Sequence, residues 1–96
     1  MNYLVFDIGG TAIKYALMTE SSHIIEKGEI STPKLNFEDF IEKLLSIYYK
    51  FNNIVGIAIS LPGKIDSITG FSYSGGSLFY NNEKNIPKFL SSKLGI

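Results

Sequence analysis

The sequence contains no cysteine, which excludes disulfides and thiolate metal sites and fits a cytoplasmic protein. It has no excess of either charge. Nine basic residues stand against nine acidic ones, so no global field draws the chain to nucleic acid or to an anionic membrane. No apolar run approaches the roughly 20 residues that cross a bilayer. The N-terminus lacks the basic region, long apolar core and small-residue cleavage site of a secretory leader. Repeats of solenoid length and low-complexity tracts are missing as well. The single histidine, His23, has no second His and no Cys to join it, so a surface position at a strand end is expected, not a metal site.

What remains is the composition of a packed core. Of the 96 residues, 45% are hydrophobic and 14% aromatic, enough to build one domain of modest size. "NYLVFDI", residues 2–8, is dense in large apolar and β-branched side chains, as in a strand covered on both faces. Gly9 and Gly10 break it. "TAIKYALM" (11–18) resumes as a second strand and "HIIEKGEIST" (23–32) reads as a third, with the turn-forming "TESS" between them. Three consecutive strands on short links predict an antiparallel meander.

The period then changes. Apolar residues at Phe37, Phe40, Ile41, Leu44, Tyr48 and Phe51 predict an amphipathic helix. Asn36 is its expected N-cap, Glu38 and Asp39 place negative charge in its first turn, and Asn52-Asn53 mark its stop. "NIVGIAISLPG" is a second near-continuous apolar strand, closed by Pro62-Gly63. The helix before it predicts that it runs parallel to the first strand. "KIDSITGFSYSGG" predicts a small hairpin turning between Asp66 and Gly70, with Gly75-Gly76 beyond it. "NIPKFLSSKLGI" predicts a short helix with Pro87 in its first turn and Gly95 at its end. The fold class is therefore α/β: a mixed sheet in β-β-β-α-β order, a small hairpin and a C-terminal helix.

The chemistry concentrates in "DIGGT", residues 7–11. One reading is a plain hairpin turn, for which a Gly-Gly pair between apolar runs is a common signal. The other is a socket for phosphate. Gly9 and Gly10 can adopt positive φ and carry no Cβ, so polyphosphate oxygens could reach backbone N–H groups. Thr11 could donate its hydroxyl. Asp7, at the strand end, is placed to hold Mg²⁺ through water. Lys14 adds positive charge or faces solvent. The motif is neither the helix-capped phosphate loop nor the dinucleotide fingerprint, since a strand follows the glycines. Asp7 favours the socket, because a carboxylate closing an apolar strand costs desolvation unless it is solvated, paired or metal-bound.

"DIGGTAIKYAL", followed at a distance by "GIAISLPGKID" and "GG", resembles the ROK family (repressors, open reading frames and kinases) of the sugar kinase, Hsp70 and actin superfamily. Asp7, Gly9, Gly10 and Thr11 match the family's Asp-x-Gly-Gly-Thr hairpin for the ATP phosphates. Gly56, Pro62, Gly63, Ile65 and Asp66 match its second segment. The resemblance covers essentially the whole chain. It implies a single ribonuclease H-like (actin-like ATPase) N-terminal lobe over residues 1–96. It also implies a kinase that uses ATP and Mg²⁺ to phosphorylate a hydroxyl of a hexose or N-acetylhexosamine. Pro62, Gly63, Gly75 and Gly76 would border the sugar, and Asn81 or Asn82 would offer it a side-chain amide. Asp66 is expected to cap its turn rather than to act in catalysis.

In the family the catalytic Asp follows a Leu-Gly-x-Pro-Val strand entry, and this chain reaches "KLGI" at residues 93–96. The resemblance thus puts the general base, the cysteine-rich motif for structural zinc and the second lobe beyond Ile96. The 96 residues alone are expected to be inactive and to hold no zinc. Two alternatives are a sugar-responsive transcriptional regulator and a non-catalytic sugar- or nucleotide-binding module. ROK regulators carry a helix-turn-helix ahead of the hairpin, whereas six residues precede Asp7 here. A monosaccharide and a nucleotide are the expected partners, not nucleic acid or membrane. Self-association is expected through an exposed edge on the fourth strand, "NIVGIAIS".

Overall fold

A computed structural model describes residues 1–96. The chain divides into two compact units, Met1–Ser60 and Leu61–Ile96. No helix is long and apolar enough to cross a membrane.

The first unit is built from β1 (Asn2–Ile8), β2 (Ala12–Thr19), β3 (Ile24–Ser31), α1 (Phe37–Tyr48) and β4 (Ile54–Ser60). Its four strands lie in the order β3-β2-β1-β4. The first three form an antiparallel meander, and β4 runs parallel to β1. That direction follows from the connection, because α1 carries the chain back along the sheet before β4 begins. The β2–β3 link closes with Ser22 in the left-handed region at φ 68° and a 3.0 Å bond from its amide to the Thr19 carbonyl.

Helix α1 starts where the sequence places it: the Asn36 side chain accepts from the Asp39 amide at 2.8 Å. Its buried stripe is Phe40, Ile41, Leu44 and Ile47. Ile47 belongs to that stripe although the sequence reading passed over it, Phe37 and Tyr48 are only half-buried, and Phe51 lies past the helix end. The stripe accompanies Leu4, Phe6 and Ile8 of β1 and Ile13, Tyr15 and Leu17 of β2, all buried. Burying a side chain such as Phe6 or Phe40 contributes about 2–3 kcal/mol each.

The apolar run of β1 suggests cover on both of its faces, but the strand is buried on one face only. Leu4, Phe6 and Ile8 are buried, but Tyr3 and Asp7 are exposed and Val5 is half-buried. Because side chains alternate along a strand, a second apolar set such as Tyr3 and Val5 is not proof of a second cover.

The second unit holds β5 (Lys64–Ile65), β6 (Phe71–Ser74), a 3₁₀ turn over Phe79–Asn81, β7 (Lys84–Asn85) and α2 (Ile86–Leu94). The anticipated hairpin is the first two strands of a three-stranded antiparallel sheet, β5-β6-β7. A two-residue strand such as β7 is too short to show a period. Asp66 caps its turn as anticipated, its carboxylate accepting from the amides of Ile68 (2.9 Å) and Thr69 (3.1 Å). Helix α2 has Pro87 in its first turn and ends on Gly95 at φ 74°, whose amide donates to the Ser91 carbonyl.

Candidate functional site

Asp7, Gly9, Gly10 and Thr11 come together at the tip between β1 and β2 because they are contiguous there. Asp7 is the last residue of β1 on the open face, and it is exposed. Its carboxylate accepts no hydrogen bond from the protein, so both oxygens are free for water or a cation. Directly opposite on β2 stands Lys14, and opposite Lys14 on β3 stands Glu29. Lys14 is therefore flanked by two carboxylates along one row of the sheet. This row borders an open depression of about 570 Å³ whose lining includes Val5, Ala16 and Lys27.

Of the two properties the glycines offer, the freedom to take positive φ is not the one the turn uses. Neither Gly9 nor Gly10 takes a positive φ. What Gly9 provides is a close approach: a Cβ there would lie 3.0 Å from the Ala12 carbonyl oxygen, which accepts the Gly9 amide at 2.9 Å. The amides of Gly10 and Thr11 donate to no protein acceptor, and the Thr11 side chain is exposed. Two unpartnered amides, a hydroxyl and a free carboxylate are thus gathered on one hairpin.

The three hairpin carbonyls, by contrast, are all occupied. The Thr32 hydroxyl donates to Gly9 at 2.8 Å, the Thr32 amide donates to Thr11 at 3.0 Å, and the Lys34 ammonium donates to Gly10. Sequence reasoning missed both residues. The contacts span 23 and 24 positions, and no periodicity reports a tie of that range.

Asp7 was also the expected Mg²⁺ ligand. No group of three or more His, Cys, Asp or Glu side chains gathers anywhere to cage a metal. A lone free carboxylate is compatible with the water-mediated contact expected of Asp7, since Mg²⁺ keeps much of its hydration shell.

The other predicted residues lie in the second unit, where the structure brings Pro62, Gly63, Gly75 and Gly76 together. A Cβ on Gly63 (φ 100°) would lie 2.0 Å from the Ser74 carbonyl oxygen and 2.7 Å from the Gly76 nitrogen. One on Gly76 (φ 59°) would lie 3.0 Å from the Gly63 nitrogen. The two glycine turns thus pack backbone against backbone. Asn82 holds this arrangement, its side-chain oxygen accepting the Gly75 amide at 2.7 Å. That leaves its NH₂ group as the part able to donate to a ligand. Asn81 is buried at 1% exposure, with neither side-chain polar atom hydrogen-bonded.

Comparison with known proteins places these residues in context. The sequence profile of the ROK family matches residues 3–96. A glucokinase of Halalkalibacterium halodurans is 38% identical over 80 residues, covering 74% of this chain and 24% of that protein. Among solved structures, a ROK family protein of Streptococcus pneumoniae in complex with sucrose is 35% identical at a TM-score of 0.80 over 96% of this chain and 31% of its own. A ROK glucokinase of Streptomyces griseus in complex with glucose and AMPPNP shares the fold at a TM-score of 0.86 and 15% identity, over 100% of this chain and 31% of its own. The chain spans about a quarter to a third of the length of these relatives.

Proposed function

Because the chain belongs to the ROK family and its relatives include a glucokinase and a beta-glucoside kinase, we propose that it forms the N-terminal, ribonuclease H-like part of an ATP-dependent sugar kinase. The reaction would transfer the γ-phosphoryl of ATP to a hydroxyl of a hexose or an N-acetylhexosamine. The observation that carries this reading is the β1–β2 hairpin, with its unpartnered Gly10 and Thr11 amides beside the free Asp7 carboxylate. In phosphoryl transfer the protein chiefly positions reactants and offsets charge. The two amides and the Thr11 hydroxyl would bind phosphate oxygens. Asp7 would hold Mg²⁺ through water, and the ion would supply charge neutralisation on the phosphates. Lys14 would add a longer-range positive charge, reduced by its carboxylate neighbours Asp7 and Glu29. On the sugar side, the packed turns carrying Pro62, Gly63, Gly75 and Gly76 would present backbone groups to the hydroxyls, with the Asn82 NH₂ as an additional donor. No general base is assigned among these residues.

The test is calorimetric titration of the chain with ATP in the presence and absence of Mg²⁺. Wild type is expected to bind the magnesium complex more tightly, and Asp7→Asn to remove that advantage while metal-free binding persists. Equal magnesium dependence in the variant would refute the role given to Asp7.

A further inference from the structure

The segment after β3 is joined to the hairpin at three successive carbonyls, and the consequence is a matter of peptide geometry. In a trans peptide the C=O of one residue and the N–H of the next point in opposite directions, and the chain contains no cis peptide. The oxygen of Gly9 therefore opposes the amide of Gly10, and the oxygen of Gly10 opposes the amide of Thr11. The Thr32 hydroxyl holds the first oxygen and the Lys34 ammonium the second. Both amides are consequently turned away from residues 32–34, and both are the unpartnered ones. A third bond, from the Thr32 amide to the Thr11 carbonyl, closes the same strap at its other end. Thr32 is 2% exposed, so its hydroxyl is fixed by packing, whereas Lys34 is exposed and reaches in from the surface.

We propose that Thr32 and Lys34 are positioning residues for the phosphate hairpin: they hold the Gly9 and Gly10 carbonyls so that the Gly10 and Thr11 amides face the phosphate. The inference rests on the reading of the hairpin as a phosphate site. Without the strap each of the two peptides is free to rotate, and a rotated peptide offers a carbonyl oxygen to an anion in place of a donor. The strap also strengthens the donors it orients. A hydrogen bond, and more so a cation, on a carbonyl oxygen polarises the whole peptide and makes its N–H a better donor. Thr32 acts with no charge of its own, which separates this role from simple attraction between a lysine and an anion.

The experiment is an NMR titration of the ¹⁵N-labelled chain with tripolyphosphate, following the Gly10 and Thr11 amides. In wild type both are expected to shift in a saturable way at millimolar ligand. Thr32→Val and Lys34→Met are each expected to weaken the apparent affinity by roughly three- to tenfold, the loss of about one net hydrogen bond. Thr32→Ser and Lys34→Arg are expected to stay near wild type, because each keeps the donor. The spectra report the fold of each variant, and Lys34→Met, at an exposed position, guards against a folding defect in Thr32→Val. If the wild-type amides do not respond to tripolyphosphate, the phosphate reading fails and the strap with it. If they respond but Thr32→Val titrates as wild type does, the strap alone is overturned. The same holds if Thr32→Ser loses as much affinity as Thr32→Val.

Discussion

Gly75→Ala isolates the cost of opening the tight turn that runs from Gly75 to Asn81 in the second unit. The added Cβ would sit 2.0 Å from the Leu78 carbonyl oxygen and 3.0 Å from the Asn81 Cβ. An ordinary contact begins at 3.4 Å, so Leu78 or Gly75 has to retreat by about 1.4 Å on a backbone atom that no rotamer change can relieve. Three bonds resist this. The Leu78 amide donates to Gly75 at 3.0 Å, the Asn81 amide donates to Leu78 at 2.9 Å, and the Gly75 amide donates to Asn82 at 2.7 Å. Overpacking of this kind costs about 1–3 kcal/mol, and each displaced bond about 1 kcal/mol more. With about 2 kcal/mol of overpacking and one or two of the three bonds displaced, the expected total is about 3–4 kcal/mol, which in a domain of this size lowers Tm by more than about 10 °C. Left-handed strain contributes nothing, because Gly75 does not take a positive φ. Gly95→Ala is the opposite case: its φ is 74° but nothing lies within 4 Å of the added atom, so only conformational strain of about 1–2 kcal/mol remains. Thermal denaturation followed by circular dichroism compares the two directly. A Gly75→Ala chain no less stable than Gly95→Ala would refute the steric argument.

Two further outcomes follow from the second unit. The Thr69 and Ile68 amides bonded to the Asp66 carboxylate hold its pKa below the usual aspartate value. A depressed pKa in the folded state means that the charged form contributes stability above the ordinary aspartate range and loses it as pH falls through the lowered value. Carboxyl NMR should accordingly give Asp66 a midpoint below about 3.9, and a midpoint above that value would contradict the turn geometry. Asn81→Leu replaces a buried side chain with no hydrogen-bond partner by an apolar one of similar size. It is expected to raise stability by about 1 kcal/mol, measured by denaturant titration, and an equal loss would show that the carboxamide is engaged.

Local signals carried most of what the sequence revealed. Asn36, the Phe40–Ile41–Leu44 spacing and Gly95 each act within a turn or two of themselves, so helix starts, faces and ends were readable. The parallel pairing of β4 was readable too, since a helix between strands permits little else. Asp7, Gly9, Gly10 and Thr11 could be grouped as one site because they are neighbours in the chain. The uncovered face of β1 was not legible, because Tyr3 and Val5 have the same composition whether or not something rests on them. Strand β7 was too short to register. Positive φ and a missing Cβ were both open to the hairpin glycines, and only coordinates show that Gly9 uses the second. Thr32 and Lys34 stayed hidden because a hydroxyl and an ammonium on a loop carry no sign of which carbonyl they will meet.

The central place of β1 has a consequence for the order of assembly. On one side β1 pairs with β2 across a three-residue link, and on the other with β4, from which α1 and all of β2 and β3 separate it. Closing the first pair costs little chain entropy, whereas docking β4 requires a loop of more than forty residues to be closed. The hairpin and its strap lie wholly within residues 1–34, the cheap side of that division. The part of the chain that would meet the nucleotide is therefore the part whose contacts a growing polypeptide can complete first.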